Sequence, residues 1–327
     1  MKRRMGKGLF VVLVTVLAFA SNACAENMKM LMAWPSNFVF NTVVVPIFQK
    51  NLDANSKGTI KIATNGPEVV PTFEQLQPVQ TGIFELGHTY SAYHMGSMAI
   101  GVGMDATTPD PVKRRTSGVF AAIDKEYNKI GIKIIAFPPL TPYHFIMRDA
   151  LPGTKPSLQG KKLRSLPSLQ NLIMNLGGSP VTMAGGDVYT SLQKGVIDGA
   201  PWTQVGVKDF KWFEVAKFMG RPSFGYVSVM IVMNLDKYNA LSPEKKKWFD
   251  DAGAKTEIEA QAEFQKLIAA ELAFLKEQGM KETNLNADDA KNIEKYWSDG
   301  LWTMAKATTG VAGQELHDLA IKTGMTK

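Results

Sequence analysis

Apolar and polar positions along this chain switch repeatedly between a two-residue and a helical period. MKMLMAWP (28–35) reads as a strand, and TIKIATNG (59–66) alternates polar and apolar residues up to an Asn-Gly turn. Between them, NTVVVPIFQKNLDANSKG (41–58) predicts a helix with Gly58 as its C-terminal cap. FEQLQPVQTG (73–82) predicts a short helix loosened by Pro78 and closed by Gly82, and IFELGHTYSAYH continues as a strand with its loop. VKRRTSGVFAAIDKEYNKIG (112–131) predicts a helix and IKIIAFPP (132–139) a strand. Strands alternating with helices across short loops imply an open α/β sheet.

The pattern then restarts. Strands are expected at 160–167, 179–183 and 224–235, and helices at 168–178 and 185–195, the latter running into the strand and loop of VIDGAPW. Long helical stretches follow at about 242–279 and 287–307, with a tail helix near 311–323. One short phrase occurs in both halves. Gln80-Thr81-Gly82-Ile83-Phe84-Glu85 matches Gln193-Lys194-Gly195-Val196-Ile197-Asp198, 113 residues later. Each reads as a helix stopped by a glycine able to take positive φ, then a two-residue apolar strand start ended by an acid. Such junctions lead to the carboxyl ends of strands, where open α/β sheets carry ligand loops. Two lobes built alike and facing each other are one reading of the repeat, and a chance match between common junctions is the other.

The first 25 residues change the picture of charge and compartment. MKRRMGK is basic, residues 9–20 are apolar apart from Thr15, and SNACA places small residues at Ala23 and Ala25. This predicts a secretory signal peptide cleaved after Ala25, with a lipid anchor at Cys24 as the alternative. Removing it takes away four basic residues and leaves 33 basic against 30 acidic, a net +3 instead of +7. That is no footprint for nucleic acid. Cys24 is the only cysteine, so the mature chain has no disulfide and must rest on core burial. No later apolar run is long enough to span a bilayer. A periplasmic protein, not itself membrane-spanning, is expected.

Enzyme motifs are absent. There is no G-x-S-x-G elbow, GTKPSLQGKK (153–162) lacks phosphate-loop spacing, and GVGMDA (101–106) lacks a third dinucleotide-binding glycine. His88 and His94 stand apart from any Cys or H-E-x-x-H pattern, so no metal and no cofactor are expected. Tyr143 with His144 is the best acid/base pair the chain offers. Arg164, in GKKLRSLP, can be a surface ion-pair residue or a carboxylate clamp, since its planar fork of donors matches both oxygens of a carboxylate. Lys161 and Lys162 beside it read as solvated.

Residues 157–202, SLQGKKLRSLPSLQNLIMNLGGSPVTMAGGDVYTSLQKGVIDGAPW, resemble the core signature of the solute-binding proteins of TRAP (tripartite ATP-independent periplasmic) transporters, the DctP-like family. MLMAWPSNFVFN, FEQLQPVQTGIFELGHTYSAYH and VMNLDKYNALSPEKKKWFDDAGAKTE extend the resemblance over residues 28–290. It implies a two-lobed α/β binding-protein fold with hinge-linked lobes and a long helix spanning both. Lobe I would comprise residues 26–141 with 230–269, and lobe II residues 142–229 with 270–327. It implies a receptor, not an enzyme, that closes on a small organic acid and delivers it to the small and large subunits of a TRAP membrane permease.

Arg164 matches the family's carboxylate-binding arginine. Trp34, Tyr90, Tyr93, Tyr143 and Trp202 are the further ligand-binding candidates that the resemblance suggests. Pro201 stands where metal-assisted members carry Glu, and GGD (185–187) replaces the commoner G-G-E. The second arginine of sialic-acid-type members is missing from Thr141-Pro142-Tyr143-His144, with Arg148 the nearest substitute. An aromatic cleft with one principal cation implies a 2-oxo acid or a monocarboxylate with an apolar or aromatic body. A C4-dicarboxylate receptor, a sensor's binding module and a periplasmic enzyme are the alternatives.

Overall fold

The computed structural model describes residues 26–326; the expected signal segment, Cys24 included, lies outside the described residues. Among the described residues ten strands form: β1 (Glu26–Met32), β2 (Ile60–Asn65), β3 (Leu86–Tyr90), β4 (Ile132–Ala136), β5 (Pro139–Met147), β6 (Lys162–Ser165), β7 (Ser179–Thr182), β8 (Gly199–Thr203), β9 (Phe218–Asn234) and β10 (Lys281–Asn284). Their order is β2-β1-β3-β9-β5-β8-β6-β7, with β4 and β10 also pairing β9.

The order is two copies of one design. In the first, β2, β1 and β3 run parallel, and the C-terminal part of β9 lies antiparallel to β3. In the second, β7, β6 and β8 run parallel, and β5 lies antiparallel to β8. β9 belongs to both. Its residues 218–228 pair with β5, and its residues 229–234 pair with β3 and β4. β9 and the short link from β4 to β5 are therefore the two crossings between the halves within the sheet.

The repeated phrase sits at equivalent places in these copies, before β3 and before β8. Gly82 and Gly195 take φ of +75° and +71°, the left-handed conformation expected at the helix ends. The rest corrects the sequence expectation, because the acid precedes its strand and does not end it. Ile83 and Val196 are exposed, while Phe84 and Ile197 are buried. Glu85 Oε2 accepts the Lys29 N–H of β1 at 2.8 Å, and Asp198 Oδ2 accepts the Lys162 N–H of β6 at 2.8 Å. The carbonyls of the same acids accept the N–H groups of Asn234, ending β9, and Arg148, following β5. The acid thus ties its own strand to a parallel and an antiparallel neighbour, which is a physical reason for the phrase to occur twice.

Other boundaries moved. The expected helix over 112–131 is two, Pro111–Thr116 and Val119–Asn128, broken at Gly118 with φ of +86°. β5 carries Pro139 and Pro142 and was not expected as a strand; its register with β9 shifts three times, which accommodates them. β10 was also not expected.

The helix Pro243–Glu277 has 35 residues and so runs ~52 Å. The Ser242 side chain caps its Lys245 N–H, and Pro243 opens it. Near its start, Lys245 pairs with Glu26 of β1; in its middle, Glu257 accepts the Phe137 N–H at the β4–β5 link and pairs with Arg115. Near its end, Glu271 accepts the N–H groups of Gly206 and Lys208, in the loop after β8. Gly253 lets it approach β4, since a Cβ there would stand 2.1 Å from the Ile135 carbonyl oxygen. One rigid element therefore touches both halves and one crossing. Among the described residues, no helix is long and apolar enough to cross a membrane.

Candidate ligand-binding site

Strand ends from both halves converge on a small cavity of about 20 Å³. All six residues singled out from the sequence line it: Trp34 after β1, Tyr90 and Tyr93 at the end of β3, Tyr143 on β5, Arg164 on β6 and Trp202 on β8. They lie up to 168 residues apart in the chain and come together because parallel strands in both copies end on the same side.

Phe40, Leu166, Thr203 and Val227 also line the cavity and were missed. Phe40 and Val227 look in the sequence like ordinary core residues of a helix and a strand. The MLMAWPSNFVFN and VIDGAPW loops were recognised, but nothing in them marked Phe40 or Thr203 individually. Arg148 does not line the cavity; its guanidinium packs against Gly195. His144 does not line it either, although its neighbour Tyr143 does. Adjacent strand residues point to opposite faces, so Tyr143 and His144, the best acid/base pair the sequence offers, are not assembled at the cavity. His144 is fully buried, and burial pushes its pKa down to about 3.

Arg164 is the only cation among the lining residues, and it is 1% exposed. Its Nε donates to the Met183 carbonyl at 3.1 Å, and its guanidinium carbon sits 5.0 Å from the centre of the Trp202 ring. Nη2 is buried without a hydrogen-bond partner. Arg164 belongs to none of the ion pairs among the described residues. Burial lowers its pKa, and the hydroxyls of Tyr93, Tyr143 and Tyr90 oppose that. A desolvated guanidinium costs several kcal/mol by the usual order of magnitude unless it is compensated. Here a ring face, one carbonyl and neutral hydroxyls surround it, which leaves a donor facing no anion. Lys161 is half-buried and Lys162 exposed, in keeping with their expected solvation.

The tyrosines form a chain leading away from Arg164. Tyr143 Oη donates to Tyr90 Oη at 3.3 Å, and Tyr90 Oη donates to Asp105 Oδ2 at 2.8 Å. Burial raises the pKa of all three tyrosines. Asp105 lies in GVGMDA, which the sequence marked only as a failed nucleotide motif. Burial pushes its carboxyl up to about 7, against the opposing pull of Arg114.

Aromatic contacts join the two halves beside the cavity-lining rings of Trp34 and Trp202. Phe38 contacts Trp34 from one half and Trp202 and Phe210 from the other, at ring separations of 6.1, 6.2 and 4.9 Å. The Val39 N–H donates to Asp209 Oδ2 at 2.9 Å across the same seam. The two halves are thus in contact beside the cavity. Among the described residues, no group of three or more His, Cys, Asp or Glu side chains could hold a metal ion.

A family model described as bacterial extracellular solute-binding protein, family 7 (DctP), matches residues 32–301. The 2,3-diketo-L-gulonate-binding periplasmic protein YiaO of Escherichia coli is 29% identical over 195 residues, 59% of this chain and 54% of that protein. A monocarboxylate 2-oxoacid-binding periplasmic protein of Nostoc is 26% identical over 247 residues, covering 70% of this chain and 66% of that one. The chain spans about half the length of the curated relatives it matches, from 40% to 66%. A TRAP periplasmic solute-binding protein from Desulfovibrio salexigens, solved with bound orotic acid, superimposes with a TM-score of 0.81 at 19% identity, covering 91% of this chain and 98% of that one. That likeness shows the two-lobed α/β fold.

Proposed function

This chain belongs to the bacterial extracellular solute-binding proteins of family 7, and from that membership we propose that it is a periplasmic receptor for a small organic acid. Members of the family are solute-binding receptors. The observation that carries the reading is Arg164, a buried cation with an unpartnered donor at the meeting point of two lobes. A carboxylate seated there would accept from the fork and offset the charge, in a site where little water screens the pair.

The single cation favours one carboxylate over two. The walls of Trp34, Phe40, Tyr93 and Trp202 favour an apolar or aromatic body, with 2-oxo acids included in the class. Relatives described as binding a 2-oxoacid or a diketogulonate, and fold neighbours solved with orotic or pyroglutamic acid, fit that range. The division into lobe I, 26–141 with 230–269, and lobe II, 142–229 with 270–327, is part of the same proposal, as is delivery to the two subunits of a TRAP permease. A space of 20 Å³ holds about one water, so an acid enters by separation of the two walls about the β9 and β4–β5 crossings.

The test is a thermal-shift screen of residues 26–327, stripped of carried-over ligand, against mono-, di-, 2-oxo- and aromatic carboxylates. Arg164→Ala is run in parallel. A ligand at about 1,000 times its Kd adds roughly 4 kcal/mol and several degrees. A shift confined to one class of acid and lost in Arg164→Ala is the expected result. No shift from any acid on folded protein removes the organic-acid function.

A further inference from the structure

Asp105 stands between two spaces. On the inner side it anchors the Tyr90–Tyr143 chain that ends at the Arg164 cavity. On the outer side it lines a separate groove of about 690 Å³ with Thr108, Tyr226, Lys291 and Trp297. The proton on this carboxyl decides which way the tyrosine chain points. An ionised carboxylate only accepts, so Tyr90 must donate to it. The Tyr90 oxygen then accepts from Tyr143, and the Tyr143 proton is spent. What Tyr143 has left to offer a ligand is lone pairs.

We propose that Asp105 is a positioning residue that makes the cavity select organic acids bearing a hydroxyl or N–H opposite Tyr143 over the matching oxo or N-alkylated acids. The proposal rests on the carboxylate-receptor reading, and it narrows the class of ligand. A ligand held by its carboxylate on Arg164 meets an acceptor oxygen further in. A hydroxyl or N–H completes that bond; a carbonyl opposes lone pair to lone pair and leaves both groups unsatisfied. Protonating Asp105 allows the chain to reverse, so that Asp105 donates to Tyr90, Tyr90 to Tyr143, and Tyr143 into the cavity. The preference for donor-bearing acids then weakens.

Several groups set where this reversal falls. Burial lifts the Asp105 carboxyl to about 7, while Arg114, Tyr90 and Ser228 oppose the rise. Tyr143 is linked to it through Tyr90, and Tyr226, Lys291, Glu294, Lys295 and Asp299 line the outer groove with it.

The experiment uses matched pairs: mandelate with phenylglyoxylate, and pyroglutamate with N-methylpyroglutamate. Dissociation constants are measured by calorimetry at pH 8 and pH 6 for wild type, Tyr143→Phe, Asp105→Asn and Arg164→Ala. At pH 8 the donor-bearing member of a pair is expected to bind about tenfold or more tighter. That ratio shrinks at pH 6 and collapses in Tyr143→Phe. In Asp105→Asn, confirmed folded by circular dichroism, the ratio loses its pH dependence. Arg164-dependent binding with no donor preference at pH 8, or a preference that survives in Tyr143→Phe, overturns this proposal alone. Absence of Arg164-dependent binding by any of these acids overturns it together with the carboxylate reading.

Discussion

Arg164 holds its position for reasons a lysine cannot reproduce. Its Nε is committed to the Met183 carbonyl and its guanidinium lies over Trp202, while Nη2 is buried without a partner. A lysine keeps the charge but loses the fork and the stacking. Arg164→Lys is therefore expected to fold normally yet bind the preferred acid at least about 100-fold more weakly, by loss of a buried charge-assisted pair. Calorimetry checks this, and near-normal affinity in the lysine variant would show that charge alone suffices. Arg164 is legible in the sequence because it stands in the stretch 157–202 that resembles the family signature. Asp105 is not, since its role depends on Tyr90, fifteen residues away, and no local pattern records that pairing.

At the scale of elements, two features make the frame. The acids of the repeated phrase each hold a backbone N–H of a neighbouring parallel strand, so Asp198→Ala should cost about 1 kcal/mol through the lost Lys162 N–H bond. Urea unfolding would detect it as a lower midpoint with unchanged slope. Gly253 matters more, because a methyl there meets backbone rather than a flexible side chain. Gly253→Ala is expected to destabilise by roughly 1–3 kcal/mol despite alanine's better helix propensity; a stabilised variant would contradict the close approach of helix to β4. Strand–helix alternation, the long helix and the repeat could be read from periodicity and glycines. β5 could not, because Pro139 and Pro142 argue against a strand until the bulged pairing with β9 is known. Nor did the pattern show that β9 begins at Phe218, since its first residues alternate poorly.

The molecule as a whole carries a pH signature. His88, His94 and His144 are buried, and burial pushes each down to about 3 from 6.5. They stay neutral in the fold but take up protons when unfolded below pH 6.5, so stability falls as pH drops from 6.5 towards 3. Asp105 and Glu271, each raised by burial to about 7 from 3.8 and 4.5, act with the opposite sign, adding stability as pH falls through 7, and burial raises Glu257 and Asp209 as well. Replacing one histidine isolates its share: the thermal midpoint of His144→Leu, taken relative to wild type, should rise between pH 7 and pH 4.5 because one protonation of the unfolded chain is removed. Parallel curves for the two proteins would contradict the neutral, buried state of His144.

The most direct measurement compares one acid with its own methyl ester. The acid giving the largest thermal shift is titrated by calorimetry into wild type and Arg164→Ala, beside the ester. Wild type is expected to bind the acid one to one and the ester about 100-fold or more weakly, because the ester removes the charge that faces the buried guanidinium. In Arg164→Ala that difference should disappear. Equal affinity of acid and ester for wild type would mean that Arg164 is not there to hold a carboxylate.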